Sequence, residues 1–293
     1  MLNLNYGRKE LNKMKLDNRR KYFLILDCET ATLPCVRNYP EDSRKDIAIA
    51  KPLIYDFAWR IVDKLGRVYA ERNFLITEIF SVPDIFNTAY YAEKRPLYIE
   101  MLEKGETSLV SWREATKIFE EDLSLVSAVG AYNSMFDFKK AIPFTETYIN
   151  KLYSTNFYSW LKGQEKSCDT IVYGRKYNNK NFDGENFVFR NYTIPLFDIW
   201  GMACVHLLNN DYYREKCAEN NWYTASGKYY KTSAETAYRF VMGNDDFIEA
   251  HTALDDAIIE TLLFAESVKK AKNKVEPMGI VYFPFKIIGN VEM

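Results

Sequence analysis

Tyr22-Phe23-Leu24-Ile25-Leu26 is an unbroken apolar run that stops at Asp27-Cys28-Glu29-Thr30. A run without alternation predicts a central strand covered on both faces. Ile54 to Val62 alternates in part, Asp63-Lys64-Leu65-Gly66 supplies turn chemistry, and Arg67 to Ile76 reads as the return strand of a hairpin. The segment between, with Pro34 and Pro40, reads as a loop. From Ser111 to Leu125 the period changes to that of a helix, with Trp112, Ala115, Ile118, Phe119 and Leu123 on one face and a Ser111/Glu114 capping box at its start. Ala128 to Tyr132 predicts a short strand, followed after Asn133 by a helix from Phe136 onward. Ile194 to Leu196 predicts another strand, leading through Phe197-Asp198-Ile199-Trp200 into a helix that ends near Leu208. Thr232 with Glu235 reads as a second capping box for a helix ending at Gly243, and Thr252 as the cap of a long helix to about Lys270.

A hairpin followed by alternating strands and helices predicts an α/β domain, a mixed sheet flanked by helices. Two stretches break the pattern. Tyr148 to Tyr192 has no clear period and is rich in Tyr, Phe, Asn and Lys, and Asp211 to Lys231 sets tyrosines around a Ser226-Gly227 turn. Both read as insertions, at about 145–192 and 211–231, in one domain covering 22–272. Residues 1–21 form a basic tail, and 273–293 a C-terminal tail whose apolar Gly279 to Phe285 is expected to fold back onto the body.

Composition adds limits. The net charge of -1 excludes a uniformly basic nucleic-acid binder, so positive charge has to be local. Beyond the basic tail, the insertions supply it, with Lys151, Lys162, Lys166, Arg175, Lys176, Lys180 and Arg190 in the first and Arg214, Lys216, Lys228 and Lys231 in the second. Basic groups interleaved with aromatic rings suit a single strand, so either insertion is expected to hold nucleotides. The five cysteines, with no CxxC pair, read as reduced thiols of a cytoplasmic protein, and no apolar run is long enough to imply a membrane.

The chemistry lies where elements end. Asp27 and Glu29 are two apart at the end of a strand, so alternation puts both carboxylates on one face. Asp137 opens a helix behind Asn133-Ser134-Met135-Phe136, and Asp256 lies in the first turn of the long helix, five residues after His251. Carboxylates gathered without basic partners repel one another and call for hard cations, Mg²⁺ or Mn²⁺. The remaining polar candidates read as structural: His206 as a helix packing or surface residue, Asp198 as a sheet-edge or capping acid, and Asp255 as a cap shared with Thr252. Ser226-Gly227-Lys228 lacks the preceding glycine of a phosphate loop.

Taken together, Asp27-x-Glu29-Thr30, Asn133-x-x-Phe136-Asp137 and His251-x-Ala253-Leu254-x-Asp256-Ala257 resemble the three motifs of the DnaQ-like 3′→5′ exonucleases of the ribonuclease H-like superfamily. Histidine five positions before the last aspartate is similar to their His-type (DEDDh) branch. The resemblance covers Tyr22 to about Lys270. It implies a ribonuclease H-like fold and two-metal-ion hydrolysis that releases 5′-mononucleotides. It also implies that Asp27, Glu29 and Asp256 hold one ion, Asp27 with Asp137 the other, and that His251 is the general base. Cys28 (through its main chain), Thr30, Asn133 and Phe136 are the implied substrate contacts. Where family members commonly continue with Thr-Thr-Gly, this chain has Thr30-Ala31-Thr32. The expected partner is a single-stranded 3′ end, DNA slightly favoured over RNA, with a polymerase or replication protein as a further candidate. The alternatives are an RNA-trimming or short-oligonucleotide exoribonuclease, and an inactive binding module of the same fold.

Overall fold

A computed structural model of the chain describes residues 21–173, 186–272, 281 and 283–291. The apolar run at its start becomes β1 (Tyr22–Ala31). The other strands are β2 (Leu53–Asp63), β3 (Val68–Ile76), β4 (Ser108–Val110), β5 (Ala128–Ala131), β6 (Asn186–Phe189) and β7 (Tyr192–Asp198). They form one sheet of seven strands in the order β4-β3-β2-β1-β5-β7-β6. Strand β1 is antiparallel to β2 and parallel to β5, which is parallel to β7, so the sheet is mixed.

Alternation along β1 divides two apolar layers. Leu24, Leu26 and Cys28 face a layer with Trp59, Trp112 and Phe119, while Phe23 and Ile25 face another with Phe197, Leu263 and Phe264. The second layer is covered by the helix Ala253–Lys270, which carries Leu263 and Phe264. Asp27 and Glu29 continue the odd-numbered side of β1, so they emerge toward that helix.

Gly130 in β5 allows one of the closest approaches in the sheet. A Cβ there would lie 2.3 Å from the Phe197 ring, and that ring also packs on Phe23 and Phe264. Gly130→Ala is expected to destabilise the protein by about 1–3 kcal/mol through overpacking. A urea midpoint equal to that of the wild type would contradict this.

Several expected devices are present. Ser111 and Glu114 form the capping box of the helix Trp112–Leu123, and Thr252 caps Ala253–Lys270 by accepting from Asp255 N. Asp63 Oδ1 accepts from Leu65 N and Arg67 N and so closes the β2–β3 turn. No helix among the described residues is long and apolar enough to cross a membrane.

Other expectations are corrected. The Pro34–Pro40 region is not loop alone, since Pro34–Asn38 is a 3-10 turn and Glu41–Ala50 a helix. The cap of the helix Ala234–Met242 is Ser233, not Thr232, and Thr232 Oγ1 instead accepts from Trp200 Nε1. The first aperiodic stretch folds largely as the helices Ile142–Leu152 and Phe157–Tyr173. Their inward faces carry Tyr148, Phe157 and Trp160 into the first apolar layer, which hides the period behind aromatic residues.

In the second stretch, the helix Asp211–Asn220 leads to a tight turn at Gly227, with Tyr223 bridged to Tyr230. Tyr213, Trp222 and Tyr230 are buried in the second layer, so these rings serve as core. The described part of the C-terminal tail folds back as expected, with Ile288 buried and Phe285 packed near Trp200 and Tyr229. The five cysteines form no disulfide, and Cys35 and Cys168, distant in sequence, meet at 3.8 Å.

Candidate metal centre

The carboxylates arrive on separate pieces of chain. Asp27 and Glu29 come from the end of β1, where the register with β2 shifts between Glu29 and Thr30. Asp137 begins a turn of π-helix, Asp137–Ala141, beyond β5. His251 lies in the loop before the helix Ala253–Lys270, and Asp256 in the first turn of that helix. One ligand atom from each of Glu29, His251 and Asp256 lies within 4.8 Å of the others, a spacing that could hold an ion.

Electrostatics ties Asp27 and Asp137 to this group. Part of Asp27 is open to solvent although protein atoms surround it. Burial first, then Glu260, Asp256, Asp137 and Glu29, hold its carboxyl well above the ordinary carboxylate range. Burial, Glu249 and Glu29 push Asp256 up to about 9. Burial and Asp56 push Glu29 up to about 8, against the ammonium of Lys94. Asp137 is raised to about 7 by burial, against a hydrogen bond from the Cys28 thiol to its Oδ1 at 3.0 Å. Such shifts mark carboxyls whose charged form is penalised by burial and, for Asp27, Glu29 and Asp256, by one another.

Three of these acids are not singled out by any motif. Asp56 stands opposite Glu29 in the β1–β2 register, and its Oδ2 accepts from Ala253 N at 2.9 Å, fixing the start of the helix that carries Asp256. A charged residue inside the buried run of β2 is the signal that could have found it. Glu260 lies one turn beyond Asp256 and is buried, as i,i+4 spacing on a single helix face allows. Glu249, two residues before His251, places Oε2 3.4 Å from the imidazole Nδ1. Only the folded loop brings those two side chains together.

The donor set fits hard divalent cations. Asp256 Oδ1 and Glu260 Oε2 are buried carboxyl oxygens without a hydrogen-bond partner among the described residues. Oxygen atoms in that condition are costly unless a cation or a proton compensates them.

The expected substrate contacts are placed unevenly. Asn133 is exposed, with a positive φ of 102°, and its N–H reaches Asp198 Oδ1. Thr30 and Phe136 are half-buried, and Phe136 leans on the first apolar layer. The Cys28 side chain is buried and committed to Asp137, which leaves its main chain for a substrate. Asp198 is a structural acid, raised to about 7 by burial, against backbone N–H donors that include Ser134 and Gly201. His206 lies in the turn Cys204–Leu208, outside the cluster.

No family model, no curated protein and no solved structure matches this chain.

Four of the basic residues expected to hold a strand can be set aside. Arg175, Lys176 and Lys180 lie outside the described residues. Arg190 is committed to the protein itself, bonding Glu120, Glu146 and Thr116 from the β6–β7 turn. A guanidinium saturated by two carboxylates has little left for a phosphate, so the expectation for Arg190 is corrected.

Proposed function

We propose that the chain is a metal-dependent 3′→5′ exonuclease of the DnaQ-like, His-type kind, with a ribonuclease H-like fold. In this reading it removes 5′-mononucleotides from a single-stranded DNA or RNA end. The observation that carries the proposal is the meeting of Glu29, His251 and Asp256 within 4.8 Å, with Asp27 and Asp137 electrostatically joined to them. The sheet order β3-β2-β1-β5-β7, with β2 antiparallel to its neighbours, is compatible with that fold.

Asp27, Glu29 and Asp256 would hold one ion, and Asp27 with Asp137 the second. When bound, the pair supplies charge stabilisation at the scissile phosphate. These carboxyls would have to be deprotonated to hold the ions, so metal affinity should increase with pH. His251 accepts a proton from the attacking water. Burial, assisted by Lys94, lowers the imidazole below its usual range and so leaves it neutral at pH 7. Thr30 and the main chain at Cys28 touch the terminal nucleotide, with Asn133 and Phe136 as the further substrate contacts.

The test uses matched DNA and RNA oligonucleotides labelled at the 5′ end, with Mg²⁺ or Mn²⁺. A ladder shortening by single nucleotides is expected, blocked by a 3′-phosphate and by chelator. Cleavage of circular strands at the linear rate would reject the polarity, and full activity in excess chelator would reject the metals. Strand binding without cleavage under all conditions would favour the inactive module.

A further inference from the structure

His251 has a left-handed backbone, with φ 51°. That conformation costs a non-glycine residue about 1–2 kcal/mol and persists only where the surroundings over-determine it. Its holder is a strap between the short helix Pro83–Phe86 and the helix Arg95–Lys104. The Tyr91 ring stacks on the imidazole at 4.6 Å between centroids and 15° between planes. The Lys94 ammonium donates to Ala250 O at 2.5 Å and to His251 O at 3.4 Å, and sits 4.2 Å from the Tyr91 ring centre.

The strap itself is anchored on both sides. Thr88 Oγ1 accepts from Thr32 N and is close to Thr32 O, so one side is fixed to the chain just past β1. Arg95 donates to Phe80 O and covers the rings of Phe80 and Phe86 on the other. The segment that carries Tyr91 is thus tied to the strand end bearing Asp27 and Glu29, while Tyr91 and Lys94 grip the loop bearing His251. Neither residue belongs to any of the three motifs.

We infer that Tyr91 and Lys94 are positioning residues for the general base, Tyr91 setting the plane of the imidazole and Lys94 holding the left-handed main chain beneath it. The inference rests on the proposed exonuclease reading, because it needs His251 to be the base. Stacking limits rotation of the ring while leaving its edge open. The two carbonyls bound by Lys94 belong to the left-handed residue itself and to the one before it. A base held this way enters the reaction already oriented, and such orientation is expressed in kcat and not in substrate affinity.

The experiment compares Tyr91→Leu, Tyr91→Phe, Lys94→Met and Lys94→Arg by kcat and KM on a 5′-labelled oligonucleotide with Mg²⁺. It also follows the His251 ring protons by NMR, with His206→Gln providing the assignment because the chain has only two histidines. Tyr91→Leu is expected to lower kcat on the order of 10²-fold with KM nearly constant, and to move the His251 ring protons downfield as the stacked ring is lost. Tyr91→Phe should restore both. Lys94→Met should lower kcat likewise, and Lys94→Arg should recover most of it.

An unchanged ring shift in Tyr91→Leu would mean that the stack does not exist in solution. A moved shift with unchanged kcat would mean that it positions nothing. A raised KM at constant kcat would make Tyr91 a substrate contact. Equal losses in the Leu and Phe variants, with falling melting temperatures, would reduce the strap to a structural element. A wild type inert on every oligonucleotide would overturn the exonuclease reading and the positioning role with it, even if the ring shift demonstrates the stack.

Discussion

Asp27→Asn is expected to remove nearly all hydrolysis and to raise the melting temperature of the metal-free protein at pH 8. The loss is expected because Asp27 is the carboxylate assigned to both ions. Lost charge stabilisation of about 4 kcal/mol corresponds to a rate drop on the order of 10³-fold. The gain in stability follows from proton linkage. In the folded chain Glu29 titrates near 8 and Asp256 near 9, with Asp27 also well above its ordinary range. In the unfolded chain all three release their protons near pH 4.

The folded state therefore binds more protons across that window. Stability of the metal-free protein falls as pH rises from about 4 through the raised values. Removing one repelling carboxylate relieves the cost, by about 2–4 °C in melting temperature for each kcal/mol regained. Added Mg²⁺ or Mn²⁺ should stabilise the wild type more at pH 8 than at pH 5.5, and Asp27→Asn much less at either. Thermal unfolding at the two pH values, with and without the ion, decides the matter. A metal-free variant that melts below the wild type at pH 8 would remove the electrostatic account of the cluster.

His251→Ala is expected to lower kcat by about 10²–10⁴-fold with little effect on KM, the usual contribution of a positioned base. The pH profile supplies the second half of the prediction. Burial and Lys94 depress the imidazole below its ordinary range, so the wild-type rate should increase with pH through a midpoint on the acidic side of ordinary histidine. In the alanine variant this limb should disappear. Should it persist unchanged, another group is the base, with Glu249, 3.4 Å from Nδ1, the first candidate.

Asp27, Glu29, Asp137 and Asp256 are legible in the sequence because each lies beside an apolar pattern at the end of an element. Polar residues at such places are expensive without a task. The caps at Ser111 and Thr252 were legible for the same local reason. Asp56, Glu249, Tyr91 and Lys94 were not, because their importance lies in contacts closed over long stretches of chain. The bond from Ala253 N to Asp56 spans 197 residues, and no period records it. Thr232 was misread as a cap because a capping box one position out of register looks the same in sequence. Arg190 was misread because composition counts a charge but not the Glu120 and Glu146 that consume it.

That same bond has a temporal meaning during synthesis. The β1–β2 pair can form early from neighbouring segments, but the helix that Asp56 anchors leaves the ribosome 197 residues later. At ordinary elongation rates this is a delay of roughly 10–40 s. Throughout it Asp27, Glu29 and Asp56 exist without His251 and Asp256, so a nascent chain carries an acidic strand end and no assembled centre. The helix Ala253–Lys270 is the element that brings Asp256 to the cluster.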